Sequence, residues 1–253
     1  MKERIQSELR RIEEQHDIRV LLAVESGSRA WGFASPDSDY DVRFIYANRR
    51  DWYLSVFERR DVIEEMLEGD LDISGWDLRK TLRLFSKCNL ALNEWLGSPI
   101  VYSSVTEFHT QLAALMSAHF NPIAGLHHYR RTAERMLTDN IQEDRIPIKK
   151  LFYVLRPLLA CRWISRAQSQ PPTEFDRLVA QSWVTEPERE WIESLLARKA
   201  GAIEAEPVRL TADQLEALQS EIRQYQAAER LVDAPSKARG FGDLDELLRR
   251  WVV

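Results

Sequence analysis

Two short apolar segments joined by a fixed spacer constrain this chain most. Val20-Leu21-Leu22-Ala23-Val24 runs into Gly27-Ser28, ten residues lie between Ser28 and Asp39, and Asp39 and Asp41 open the segment Val42-Arg43-Phe44-Ile45-Tyr46. Apolar, β-branched and aromatic runs of this length, bounded by turn residues, read as strands. Side chains alternate across a strand, so Asp39 and Asp41 are expected on one face, their Cα atoms about 7 Å apart.

That pattern carries chemistry. Mg²⁺ takes oxygen ligands and commonly binds through one or two carboxylates plus substrate phosphates. Asp39 and Asp41 are the expected carboxylates. Gly27 permits positive φ or a close backbone approach, and Ser28 adds a hydroxyl and an N–H. A short helix opening after Gly27-Ser28 turns its first amides toward the same place. Gly32 is expected to end it, and Ser35-Pro36-Asp37-Ser38 reads as a reverse turn into the second strand. An isolated Asp-x-Asp is weak evidence, since such pairs also occur in solvated turns. The order of strand, Gly-Ser, turn, acids and strand supplies the specificity.

Two-metal phosphoryl chemistry calls for a further carboxylate on a neighbouring strand. Asp70, Asp72 and Asp77 are the candidates, within Gly69-Asp70-Leu71-Asp72-Ile73-Ser74-Gly75-Trp76-Asp77. Leu71-Asp72-Ile73 reads as a strand with Asp72 on the polar face. Asp77 precedes apolar residues at helical spacing and reads as an N-cap. Asp72 is the expected third acid, Asp77 the alternative, and Asp70 a turn residue.

These residues resemble the nucleotidyltransferase superfamily of DNA polymerase beta, marked by Gly-Ser, a spacer, Asp-x-Asp and a later third acid. The likeness is closer to a bacterial and phage branch of nucleotidyltransferases, some of them RNA-ligase-associated. It rests on Gly27-Ser-Arg-Ala-Trp-Gly32, Ser38-Asp-Tyr-Asp-Val-Arg43 and Asp72-Ile-Ser-Gly-Trp-Asp-Leu-Arg-Lys80, with Asn89, Glu94-Trp95-Leu96 and Lys149-Lys150-Leu-Phe-Tyr153-Val-Leu-Arg156-Pro157 beyond. It covers roughly residues 15–165 and supports the choice of Asp72. The family pattern often has Asn-Pro where this chain has Asn89-Leu90.

The resemblance implies an enzyme, a phosphorus-group transferase of the nucleotidyltransferase type. Such an enzyme uses Mg²⁺, with two ions expected and Mn²⁺ able to substitute. It moves a nucleotidyl group from a nucleoside triphosphate such as ATP to a hydroxyl and releases pyrophosphate. The acceptor is left open among an RNA end, a protein and a small molecule. In this reading Asp39, Asp41 and Asp72 are both metal ligands and catalytic residues. The alternative is a non-catalytic nucleotide-binding or toxin-partner module on the same fold, whose expected signature is loss of a carboxylate. All the acids are present here.

Basic residues are weighed in the same way. Arg43 lies on the strand face of Asp39 and Asp41, suited to a phosphate or to an ion pair with an acid. Arg29 follows Ser28, and Lys80 sits one turn into its helix; both are phosphate candidates. Lys150, Tyr153 and Arg156 share a helical face, either as a nucleotide clamp or as a packed polar network. Trp31, inside the motif loop, is the tryptophan most suited to a stacking role.

The chain has 253 residues, room for one large domain or two small ones. Its net charge of −5 argues against a uniformly basic nucleic-acid surface, though a local basic groove is compatible with it. The two cysteines, Cys88 and Cys161, read as buried free thiols. The charged N-terminus carries no signal-peptide pattern and no run spans a membrane, so a cytoplasmic protein without a membrane partner is expected. Oligomeric state stays open.

Strands are expected at 18–24, 40–46, 61–65 and 70–74, after a helix at 2–15. Helices follow at 77–87, 90–96, 106–119, 123–138, 147–166, 173–182, 186–200, 211–230 and 243–251. Strand-rich then helix-rich means an α+β fold: a small mixed nucleotidyltransferase sheet with flanking helices, then an all-helical half. Short connections favour antiparallel neighbours in the sheet. The break at Ser98-Pro99 divides a catalytic domain, 1–98, from a helical domain, 99–253.

Overall fold

The computed structural model describes the chain except residues 68–69, 202–205, 229–241 and 253. In chain order the first elements are α1 (Lys2–His16), β1 (Arg19–Glu25), α2 (Gly27–Trp31), β2 (Tyr40–Ala47), α3 (Arg50–Tyr53), β3 (Val62–Leu67) and β4 (Leu71–Asp77). There follow α4 (Leu78–Ser86), α5 (Leu90–Leu96), β5 (Val101–Ser104), α6 (Thr106–Ala114) and α7 (Met116–His119). The remainder is α8 (Pro122–Asn140), β6 (Arg145–Pro147), α9 (Ile148–Ala167), α10 (Phe175–Val179), α11 (Glu186–Gly201), β7 (Pro207–Arg209), α12 (Ala212–Ala228) and α13 (Gly242–Trp251).

The chain forms two compact units. One comprises Met1–Ala30, Asp39–His119 and Lys237–Val253; the other comprises Trp31–Ser38 and Phe120–Ser236. In the first, five strands run in the order β3-β4-β2-β1-β5. β1 pairs antiparallel with β2 and β5, and β3 with β4, but β2 and β4 are parallel. The sheet is mixed, as expected, with one parallel pair among the antiparallel neighbours that the short connections favour. The chain leaves β2 through α3, returns as edge strand β3, and the β3–β4 hairpin then sends β4 inward in the direction of β2.

Strand alternation divides this unit's core. Val42, Phe44 and Tyr46 pack with Ile5, Leu9 and Ile12 of α1 on one side. Each of those helix residues contributes about 1.5–3 kcal/mol by burial. Leu22, Val24, Ile45 and Ala47 pack with α4, α5, α6 and α13 on the other, through Leu82, Trp95, Phe108, Leu247 and Trp251. Gly75 lets the Phe44 ring cross the sheet, since a Cβ there would stand 2.3 Å from the ring.

Asp77 caps α4 as expected, its carboxylate accepting from the Arg79 and Lys80 amides. Asn89 caps α5 in the same way, accepting from the Leu92 amide, so Leu90 serves where proline often stands. The expected helix over 106–119 is two helices, and β5, β6 and β7 lie outside the expected elements. All three are short, with one buried residue each, too little alternation to stand out.

The expected boundary at Ser98-Pro99 lies inside the first unit. β5, just beyond it, completes the sheet against β1, and α6 packs on the same core. α13 joins that core from the far end of the chain.

The second unit is helical around α8 and α9. Phe152, Leu155, Leu159 and their neighbours are buried with Phe33 and Phe175. Phe33 belongs to the spacer between the Gly-Ser turn and Asp39. The expected turn is present there, the Ser38 amide donating to the Ser35 carbonyl at 3.1 Å. Buried Lys199 donates to Ser35 Oγ at 2.5 Å. Cys88 and Cys161 are buried and not joined in a disulfide. No helix among the described residues is long and apolar enough to cross a membrane.

Candidate active site

The first unit brings Gly27, Asp41, Arg43 and Asp72 together at one end of the β2–β4 pair. The parallel register sets Asp41 directly beside Asp72. Asp41, Arg43 and Ile45 alternate onto one face of β2, so the guanidinium reaches back over the acids. Arg43 Nη2 donates to Asp41 Oδ1 at 3.1 Å and to Asp72 Oδ2 at 2.7 Å. The expected ion-pair role of Arg43 is the one seen.

Gly27 does what the sequence asks of it. Its φ is +60°, and a Cβ on it would stand 2.3 Å from Asp41 Oδ2. The turn therefore presses its bare backbone against the carboxylate. Ser28 is buried within the short helix α2, and Gly32, at φ +89°, follows that helix. Arg29 stays local: its Nε donates to the Asp39 carbonyl at 3.0 Å, and its guanidinium stacks on the Tyr40 ring at 3.7 Å.

Asp39 differs from expectation in one respect. β2 begins at Tyr40, so Asp39 stands just outside the strand and is exposed. Among the described residues no three His, Cys, Asp or Glu side chains converge as a metal cluster. The converged acids are two, Asp41 and Asp72. They fit a hard divalent cation on two counts. The donor set is all oxygen. The pair also already holds a cationic group, the Arg43 guanidinium, which offsets the repulsion of facing carboxylates.

Asp77, the alternative third acid, lies away from Asp41 and Asp72. It is fully buried at the opposite end of β4, accepting from Asn48 Nδ2 at 2.8 Å and the Tyr53 hydroxyl at 2.6 Å. Burial pushes its carboxyl above the usual range, while hydrogen bonds from Tyr53 and Asn48 pull it back.

Lys80, the expected phosphate contact, lies at that end as well. Its Nζ pairs with Asp61 at 2.9 Å, one helical turn beyond Asp77, so it lies away from the Asp41–Asp72 edge. Asp77 stands five strand positions beyond Asp72, about 17 Å along β4. Asp70 is an exposed turn residue at φ +56°, as expected.

Lys150, Tyr153 and Arg156 lie on α9 in the second unit. Arg156 is buried; its Nη2 and Nε donate to the Thr173 carbonyl at 3.2 and 3.3 Å, and its guanidinium covers Trp31 at 4.5 Å. Tyr153 meets the Trp31 ring edge-on at 5.0 Å. Arg156, Tyr153 and Trp31 thus form a packed network within their unit, and Lys150 is half-buried beside them in sequence.

Glu25 is the site residue that sequence reasoning missed. It ends β1, is fully buried, and accepts the Asp41 amide on Oε1 at 2.8 Å. The Tyr102 hydroxyl of β5 donates to its other oxygen. Burial pushes the Glu25 carboxyl up, partly countered by those two hydrogen bonds. The available signal was an acid closing the apolar run over residues 20–24, a place where carboxylates are seldom buried without partners.

Residues 1–250 match the sequence family described as "RNA repair pathway DNA polymerase beta family" (RlaP). The uncharacterized protein YcgL of Bacillus subtilis (strain 168) is 52% identical over 200 residues, 79% of this chain and 76% of that protein. A crystal structure of a nucleotidyltransferase-like protein from Exiguobacterium sibiricum 255-15 overlaps 97% of this chain and 87% of its own at 14% identity and a TM-score of 0.31. With the Gly27–Asp41–Asp72 arrangement in place and the match running nearly end to end, the chain belongs to the RNA repair pathway DNA polymerase beta family.

Proposed function

We propose that this protein is a Mg²⁺-dependent nucleotidyltransferase that moves a nucleotidyl group from a nucleoside triphosphate to a hydroxyl, with an RNA end as the favoured acceptor. The observation that carries it is the direct facing of Asp41 and Asp72 across parallel strands, against the bare backbone of Gly27. The family's description, with its RNA repair pathway, favours RNA as acceptor.

Asp41 and Asp72 would hold the cation, with Asp39 at the strand mouth as a further carboxylate. When bound, Mg²⁺, or Mn²⁺ in its place, would neutralise charge on the triphosphate. Gly27 and Ser28 would face the phosphates. In the reaction the acceptor hydroxyl oxygen bonds to the α-phosphorus. The bond from that phosphorus to the oxygen bridging to the β-phosphate breaks. Pyrophosphate leaves with the electron pair, and Asp72 takes the hydroxyl proton. Catalysis is then mainly positioning and charge stabilisation.

The Arg43 bridge favours a second reading, a nucleotide-binding module that keeps its acid pair neutralised without turnover. Isothermal titration of ATP, GTP, CTP and UTP with Mg²⁺ tests the first step, and Asp41→Ala separates the readings. Metal-dependent binding that disappears in the folded variant supports the transferase. No binding of any triphosphate removes the triphosphate-first mechanism. Unchanged biological output with Asp41→Ala favours the module.

A further inference from the structure

A second candidate binding surface lies at the other end of the β2–β4 pair. Residues after α3 and the outer face of α4 enclose a cavity of about 320 Å³, lined by Trp52, Phe57, Arg59, Arg79, Lys80 and Arg83. A second cavity of about 350 Å³ adjoins it, lined by Leu82, Leu244 and Leu248 of α4 and α13. Arg79 and Arg83 line both. They are four apart on one helix, so they share a face. Together the cavities form an elongated groove with two arginines at its centre.

The charges of this groove are unevenly satisfied. Lys80 is paired with Asp61, and Asp77 is consumed by the cap of α4. Among the described residues, Arg59, Arg79 and Arg83 form no ion pair. Arg79 instead lies over the rings of Trp52 and Tyr53, at 5.3 and 5.4 Å. Two exposed acids remain on the rim, Glu58 by the first cavity and Asp245 of α13 by the second. Beside these cations stands an apolar tip: Val56 is 90% exposed, Phe57 80% and Leu54 70%. A water-facing surface gains nothing from three such neighbours unless something covers them.

Unpaired arginines in a row call for a repeating anion, and exposed aromatic faces call for flat rings. A single-stranded nucleic acid offers both in alternation: phosphates for the guanidiniums and bases for exposed Phe57, with half-buried Trp52 under Arg79 beside it. An acidic peptide matches the charge but offers a flat ring only where it carries an aromatic side chain, not at every repeat. We infer that this groove binds single-stranded RNA through its backbone, gripping the strand about 17 Å along the sheet from the Asp41–Asp72 pair. Backbone contacts with base stacking imply little sequence preference. The inference goes beyond the proposed transfer and does not require turnover.

The test is fluorescence polarisation of a 5′-fluorescein-labelled oligoadenylate eight-mer, in EDTA and without nucleoside triphosphate, so the carboxylate pair plays no part. We expect salt-sensitive binding that weakens at least tenfold in Arg79→Ala/Arg83→Ala. The slope of log affinity against log salt falls by about 0.7 for each phosphate that the variant no longer neutralises. Phe57→Ser, at a position too exposed to affect folding, weakens binding as well. Asp41→Ala leaves it unchanged. The inference is overturned by absent oligomer binding in the wild type, or by unchanged affinity in the folded double-arginine variant. Equal weakening by Asp41→Ala also overturns it, placing the strand at the carboxylate edge instead. Displacement by polyglutamate at equal charge overturns it in favour of an acidic protein partner. Titration of triphosphate with Mg²⁺ on the same double variant keeps this result separate from the fate of the transferase reading.

Discussion

The Asp41 carboxylate occupies the space that a side chain on Gly27 would need: a Cβ there would stand 2.3 Å from Asp41 Oδ2. Glycine's φ of +60° adds a second constraint at the same position. Gly27→Ala therefore costs about 1–3 kcal/mol through backbone strain and forces the carboxylate to move. The expected outcome is a modest drop in urea midpoint and a much larger loss of Mg²⁺-dependent triphosphate affinity. Affinity within twofold of wild type would show that this contact does not position Asp41.

Arg43 holds both acids while its own side chain is 21% exposed and theirs are 31% and 41%. Solvent screening keeps the stabilising effect small, about 1 kcal/mol or less. Arg43→Met leaves two facing carboxylates without their internal cation. In thermal melts, added Mg²⁺ should then raise Tm more in the variant than in the wild type, because binding to the folded state alone stabilises it. Equal shifts in the two proteins would mean that guanidinium and cation do not share the acids.

Glu25 predicts a pH dependence. Burial raises its folded pKa above the ordinary value of 4.5, with hydrogen bonds from Tyr102 and Asp41 opposing. A raised folded pKa means that the folded protein binds this proton more tightly than the unfolded chain. The associated stability is complete below about pH 4.5 and is lost as pH rises through the folded pKa. Glu25→Gln removes this term, so wild type should lose stability relative to the variant on going from pH 4 to pH 7. Parallel urea-midpoint curves would contradict the assignment. Glu25→Ala, which orphans the Tyr102 hydroxyl and the Asp41 amide, costs about 2–4 kcal/mol.

The two acids of β4 should separate cleanly. Asp77→Ala removes a cap and the partners of Asn48 and Tyr53, costing about 2–4 kcal/mol while the folded fraction still binds triphosphate. Asp72→Ala should change stability by about 1 kcal/mol or less and abolish Mg²⁺-dependent binding. Denaturant titration paired with calorimetry reads both; the reverse pattern would make Asp77 the site acid.

Much of the local architecture is legible without coordinates. The spacing of Ile5, Leu9 and Ile12 places α1 and its buried stripe, because a helix returns every 3.6 residues whatever surrounds it. Gly27-Ser28, the reverse turn at Ser35 and the Asp77 cap follow from backbone rules acting over a few residues. The cap at Asp77 and the open strand position of Asp72 are legible too, since the two differ in their immediate neighbours.

What the sequence determined by itself is therefore local: the period of each segment, its turn chemistry, and the residue types that can hold phosphate or metal. Pairing across distance was decided only in the folded chain. Parallel β2 and β4 set Asp41 beside Asp72 although thirty residues lie between them. The same register carries Lys80 away from the acids, and it is not written in the alternation of either strand. Glu25 and Tyr102 meet because β5 closes the sheet against β1, in a segment too short to show a period. Arg43 found the acids, while Arg156 was drawn into the packing of its own unit around Trp31 and Thr173. A charged side chain's role depends on which neighbours share its burial, and those neighbours are chosen by tertiary packing rather than by spacing along the chain.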